Sequence, residues 1–412
     1  MSPRLWAVVA LVGLAVVLAT LAAALIPWRR PPAPRADQLA ALAQLPGDRV
    51  ARARAFHAEL RPASYGAAAV GLIAALILGL TPLGARLVSS VGRPFGEHWI
   101  AQAVLGGLAV LLVVQLGTLP LAAWRHAIVT RYGISTQTWG AWSIDLLKSY
   151  AVGSVIGAVA LLGFYGVVRL SPTWWWAFAA AGAAGLVVLL SFVLPVVVEP
   201  IFNKFTPMPD GPQRTQLMTL AERDGVPVRD VLVADASRRT RAVNAYVSGL
   251  GPTRRIVVYD TLLTEAPTDE VAAVVAHELG HARDNDVLTG TVLGALQAAA
   301  AVIAAYLLGS WTPLLHLAGL GESGIGDPRA IGLLVTVATV AGLVGGPVQA
   351  LLSRRIEARA DTHAMALTGD PAGFEAMQRR LGTVNLSDPD PPTWEYLMFA
   401  SHPSTVQRMA AA

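Results

Sequence analysis

In the stretch VVAHELGHARDND, Val274 to Asp286, two histidines stand four residues apart with a glutamate after the first. On an α-helix an i, i+4 pair leaves from one face, so His277 and His281 can share a metal ion. Glu278 is turned about a quarter-circle away. It cannot easily ligate beside both histidines, but it can reach a water in the metal's open position. Chance would produce the pattern about 0.01 times in a chain of this composition, which weighs against the alternative of a surface helix with two satisfied histidines. The 412 residues include no cysteine, so thiolate sites and disulfides are excluded and any metal must be held by His, Asp or Glu.

A catalytic zinc needs a third protein ligand. The best candidate lies in SRRIEARADTHAM, Ser353 to Met365, where Glu357 and Asp361 again share a helical face at i, i+4. Glu357 could ligate the metal, and Asp361 could accept the second ring N–H of a ligating histidine. Taken alone, a charged helix at a membrane surface, with Glu357 paired to Arg359 or its neighbours, accounts for this stretch better. His363 is a rival ligand on a different face.

These residues must be positioned by a chain that is 54% hydrophobic and only 14% charged, against about 25% charged in ordinary soluble domains. That composition predicts an integral membrane protein. Seven segments can each cross a hydrocarbon core, near 5–26, 64–83, 99–123, 149–169, 174–198, 287–309 and 329–352. The first is expected to be an uncleaved anchor, because its apolar run is longer than the 7–15 residues of a signal core. Lys and Arg concentrate in the first, third and fifth connections and the C-terminal tail, and are sparse in the others. This alternation predicts an outside N-terminus with the metal site facing the cytoplasm. The organisation expected is five spans in 1–198, a soluble region with the HExxH helix in 199–286, two spans in 287–352 and a second soluble piece in 353–412.

The soluble region carries two strand-like runs, VLVAD (Val231 to Asp235) and RIVVYD (Arg255 to Asp260). Thr268 is expected to cap the HExxH helix, with Asp269 and Glu270 in its first turn. The tryptophans of TWWWAF, Thr173 to Phe178, read as an interfacial belt. His57, His98, His126 and His316 lie in loops or at span ends and need no special role. The net charge of +4 is spread over several segments, so no nucleic-acid partner is expected. Few charges lie inside the spans, which argues against a transporter with a structural zinc.

Taken in order along the chain, further stretches frame the metal motif. They are RYGISTQTW (Arg131 to Trp139), PIFNKFTPM (Pro200 to Met208), NAYVSGLGPTRRIVVYDTLL (Asn244 to Leu263), HELGH, EARAD, and SHPS (Ser401 to Ser404) followed by Arg408. With them the sequence resembles the type I CAAX prenyl proteases, seven-span zinc metalloproteases, over nearly its whole length. The resemblance implies a mainly α fold: seven transmembrane helices and a small gluzincin-like metalloprotease domain with a short β-sheet. It implies one Zn2+ per chain on His277, His281 and Glu357, with Glu278 as general base. It further implies that Asn244 and Ala245, with Tyr246 beside them, lie on an edge strand that pairs with the substrate backbone, and that His402 and Arg408 approach the scissile bond. The spans of that family enclose a chamber with the zinc site at one end, which would admit a lipid-modified or membrane-tethered chain end in contact with membrane lipid. By composition the chain reads as a bacterial member of the cell membrane. There, quality-control cleavage of membrane proteins without a prenyl requirement is the alternative to a prenylated peptide or protein substrate.

Overall fold

The structure is a computed structural model that describes residues 2–29 and 32–412. Among the described residues, seven helices are long and apolar enough to cross a membrane: Pro3–Leu25, Gly47–Leu80, Trp99–Arg131, Trp139–Leu170, Trp175–Phe202, Asp286–Leu308 and Pro328–Thr368. Each coincides with one apolar segment of the sequence. The second starts at Gly47 rather than near 64, and the seventh runs on to Thr368 rather than ending near 352. The physical reason is composition: ARARAFHAELR and SRRIEARADTHAM are rich in strong helix formers and contain no Gly or Pro. Helix therefore continues past the point where the apolar run stops, and the seventh span carries Glu357 and Asp361 out on its own extension.

The bundle packs through small residues. A Cβ placed on Gly332 would sit 2.3 Å from the Leu78 carbonyl oxygen, and one on Gly79 would sit 2.6 Å from the Gly332 oxygen. The second and seventh spans thus cross with their backbones almost touching. Trp175 and Trp176 depart from the interfacial reading. Both are buried and pack on Tyr306 of the sixth span, while Trp174 stays exposed. Trp175 and Trp176 belong to one buried cluster with Ala179, Ala180, Ala299 and Ala305.

Between the fifth and sixth spans the chain forms a four-stranded sheet: β1 (Phe205–Pro207), β2 (Asp230–Ala234), β3 (Ala245–Ser248) and β4 (Arg255–Tyr259). The spatial order is β1-β2-β4-β3, with β2 and β4 parallel and the outer pairs antiparallel. The two strands read from sequence, β2 and β4, are the central ones, and their Val231, Ile256 and Val258 are fully buried. The HExxH helix, Thr268–Arg283, packs its Val271, Val275 and Leu279 into the same core, which is closed by Phe374 and Met377 of helix Pro371–Val384.

Thr268 does not cap that helix. Pro267 occupies the cap position with extended backbone and Thr268 is the first helical residue, without a side-chain cap bond. Proline fits there because it has no N–H to leave unpaired. Asp269 and Glu270 do lie in the first turn, and Arg380 holds Glu270 at 2.5 Å. At its other end the helix stops at Asn285, whose φ of 55° is left-handed, a conformation asparagine tolerates better than most residues. The sixth span begins at Asp286 immediately after this turn.

Candidate active site

His277 and His281, on successive turns of the HExxH helix, turn their Nε2 atoms toward each other at 3.1 Å. Glu357 reaches the pair from the seventh-span helix, with Oε2 3.2 Å from His277 Nε2 and Oε1 3.5 Å from His281 Nε2. One donor atom from each residue lies within 4.8 Å of the others. The expectation that Glu357 would pair with Arg359 fails, because Arg359 turns instead to Asp284, at 2.6 Å, and Asp286. His363 is not part of the group; its Nε2 pairs with Asp224 at 3.0 Å.

The far sides of both rings decide what the near sides offer. His277 Nδ1 lies 2.9 Å from Asp361 Oδ1, and His281 Nδ1 lies 2.9 Å from Asp286 Oδ2. A carboxylate there draws the ring proton to Nδ1 and leaves the Nε2 lone pair free. Two lone pairs then face one point, together with Glu357 Oε2, which is buried with no hydrogen-bond partner among the described residues. Such a group is repulsive alone and is matched by a cation. The titration tendencies agree. Burial opposes charging of His281, but bonds to Asp286 and Glu357 outweigh it and push its pKa up to about 10 in the absence of metal. His277 shifts the same way against its burial, through Asp361 and Glu357.

Asp361 is itself held by Arg408, whose Nε lies 3.0 Å from Oδ2 while Nη2 engages Oδ1. Arg408 thus stands behind His277, touching its Nδ1 with Nη2 at 3.3 Å as well as holding Asp361. His402 is in front, with Nε2 3.4 Å from Glu357 Oε1 and Nδ1 2.8 Å from Ser401 Oγ. The turn that carries it is set by Arg354, which donates to the carbonyls of Tyr396 at 3.0 Å and Ala400 at 2.6 Å.

His277, His281, Glu357 and His402 line a cleft of about 500 Å³ together with Glu278, and Asn244 to Val247 line it as well. Burial is the main cause that pushes the Glu278 carboxyl above its ordinary range. Across the cleft, β3 is the outer strand of the sheet. The Asn244 carbonyl accepts from Tyr259 N–H at 3.0 Å, so by antiparallel alternation Ala245 and Val247 turn their main-chain groups to the open edge. Tyr246 donates its hydroxyl to Glu199 at 3.2 Å. The remaining wall is Val287 and Leu288 of the sixth span and Ile356 of the seventh.

Asp286 is the one ring partner that the sequence reading did not single out. It stood at the end of the HELGHARDND stretch, and the signal was a carboxylate five residues after His281, brought back by the Asn285 turn.

Fold and site together define an integral membrane metallopeptidase. Peptidase family M48 matches residues 210–412, and the CAAX prenyl protease N-terminal family, described as five membrane helices, matches residues 54–204. The chain belongs to the CAAX prenyl protease 1 family of M48 peptidases, and is a zinc-dependent membrane endopeptidase. It is 29% identical to the metalloprotease YhfN of Bacillus subtilis (strain 168) over 334 residues, 79% of this chain and 78% of that one. It is also 29% identical over 352 residues to a CAAX prenyl protease 1 homolog of Arabidopsis thaliana, 82% of this chain and 80% of the other. The crystal structure of S. mikatae Ste24p has the same fold, with a TM-score of 0.77 at 22% identity, covering 100% of this chain and 99% of that one.

Proposed function

We propose that this protein cuts peptide bonds near the C-terminus of lipid-modified or membrane-tethered chains, at a zinc site held by His277, His281 and Glu357 on the cytoplasmic side of the membrane. The observation that carries the reading is the continuity of one cleft, which runs from the metal-competent group and the open edge of β3 to Val287, Leu288 and Ile356 at the ends of two spans. Val287 and Leu288 are 52% and 53% exposed, so the cleft has an apolar mouth where a lipid-anchored chain would enter.

Bound there, zinc supplies Lewis-acid polarisation of the scissile carbonyl and makes a water acidic enough to attack. The chain's residues do the rest. Glu278 takes a proton from the attacking water and gives it to the leaving amine, a role served by its raised pKa, since transfer is most efficient when the base's pKa approaches the working pH. The outward N–H and C=O groups of Ala245 and Val247 pair with the substrate backbone as an added strand, entered past Asn244 and Tyr246. His402 is placed to donate to the developing oxyanion. Asp361 fixes His277, and Arg408 fixes Asp361.

The test uses one fluorogenic C-terminal peptide, with and without a farnesyl group on its cysteine, on detergent-purified protein with Glu278→Gln as blank. Cleavage of the farnesylated form alone is the expected result. Equal cleavage of both would replace the lipid requirement by the broader quality-control reading. Cleavage of neither by zinc-loaded protein would refute the reading for C-terminal peptides. Sidedness is checked by single cysteines placed in this cysteine-free chain, with those beside Arg52 and Arg379 expected to react only with reagent on the cytoplasmic side.

A further inference from the structure

Besides the Tyr246–Glu199 bond, the membrane bundle reaches the edge strand through the loop that precedes it. Residues 237–243 lead from β2 into β3; residues 237–241 are tied to groups at the ends of the membrane spans and their connections, while Ala242 and Val243 are held within the soluble domain by Thr261 and Asn385. The connection between the third and fourth spans lies beside them: Arg241 N–H and Thr240 Oγ1 donate to the Ile134 carbonyl at 2.9 and 3.0 Å. Thr136 N–H donates to the Arg239 carbonyl at 3.0 Å, and its Oγ1 to the Ser237 carbonyl at 2.9 Å. The Arg239 guanidinium then bridges two spans. Its Nε donates to Asp145 Oδ2 at 2.7 Å, on the first turns of the fourth span, and its Nη1 to Asn203 Oδ1 at 2.9 Å, just past the end of the fifth. Both members of the Arg239–Asp145 pair are mostly buried, at 18% and 19% side-chain exposure.

We infer that Arg239 and Asp145 are positioning residues for the substrate: they lock the entry of β3 to the ends of the fourth and fifth spans, so that the bundle sets the register of the pairing edge. The inference rests on the proposed strand pairing at β3. The argument is one of register. β3 has four residues and one neighbour, β4, and a slip by one residue would turn the outward groups of Ala245 and Val247 inward. So short a strand has few ladder bonds to resist a slip, and its register depends on how the preceding chain is anchored. A planar guanidinium with two oriented partners fixes that anchor in direction as well as distance.

Arg239→Gln, Asp145→Asn and the double variant of the full chain are to be assayed with the farnesylated peptide, and their zinc content measured. Zinc is expected to stay at one per chain and kcat within about threefold of wild type. KM is expected to rise about tenfold or more, the loss of one charge-assisted bond, with the double variant no worse than the weaker single. Wild-type KM, additive effects, or a fall in kcat at unchanged KM would overturn the inference. Should these variants fail to accumulate, Thr136→Val removes only the bond to Ser237, and it too must raise KM. The premise is separated by a peptide N-methylated beside the scissile bond. If wild type handles it as well as its parent, strand pairing is wrong and the inference falls with it; if it is handled worse while Arg239→Gln keeps wild-type KM, the inference alone falls.

Discussion

Asp286→Asn isolates what a carboxylate behind His281 contributes. Asp286 Oδ2 is 2.9 Å from His281 Nδ1, its side chain is 9% exposed, and its other oxygen is engaged by Arg359. Asparagine preserves the volume but offers one oxygen to two donors, and its amide N–H must face either the imidazole N–H or the guanidinium. One charge-assisted bond is lost in a buried place, about 1.5–3 kcal/mol. Each 1.4 kcal/mol is tenfold, so zinc affinity is expected to fall about ten- to hundredfold, the range usual for partners behind a ligating histidine. The assay is zinc titration of chelator-stripped protein against a competing chromogenic chelator, followed by kcat at saturating zinc. Recovery of kcat to within about threefold of wild type is expected once the site is filled. Wild-type zinc affinity, or a filled site with lost turnover, would refute the reasoning that Asp286 acts by holding the ring.

Other perturbations test separate parts of the site. His402→Ala should lower kcat about a hundredfold or more with little change in KM and no loss of zinc; a change in KM alone would remove His402 from transition-state stabilisation. The metal-free pKa of His281, raised to about 10, means that stripped protein holds a proton there at neutral pH, which zinc must displace. Zinc affinity should therefore rise with pH between 6 and 8, with proton release measurable by calorimetry in buffers of different ionisation enthalpy; affinity independent of pH would contradict the sign. Gly332→Ala drives a methyl against the Leu78 carbonyl at 2.3 Å and should cost about 1–3 kcal/mol, read as a lower Tm in detergent. An unchanged Tm would mean that the second and seventh spans do not cross as closely as described.

The seven spans were legible because each needs an unbroken apolar run, and hydropathy marks that directly. Helix ends at Gly47 and Thr368 were not, since hydropathy marks only where the apolar run stops, while the charged helix formers beyond it continue the same helix into water. His277, Glu278 and His281 were readable from one turn of helix. Glu357 and Asp361 were readable as a face but ambiguous in role, because only tertiary placement takes Glu357 from Arg359 and aims it at the histidines. Asp286 needed the left-handed Asn285 turn, and the Arg239–Asp145 link joins residues 94 apart, a pairing that no local pattern encodes. The capping expectation at Thr268 failed because the helix begins one residue earlier, with Pro267 at the cap position and Thr268 already inside the first turn.

Charge explains why such a site can exist at the base of an apolar bundle. Four carboxylates, those of Glu278, Asp286, Glu357 and Asp361, converge on two imidazoles in a largely buried space, and two guanidiniums, Arg359 and Arg408, stand behind Asp286 and Asp361. With the rings neutral, two negative charges remain, and burying them uncompensated would cost several kcal/mol each. A divalent cation removes the deficit, whereas in its absence the rings must take up protons, the direction in which both are shifted. The histidines come from the helix that precedes the sixth span, and Glu357 from the extension of the seventh-span helix. The ligand group therefore forms where these two helices already pack on each other, and it is the charge balance at that contact that favours a divalent cation.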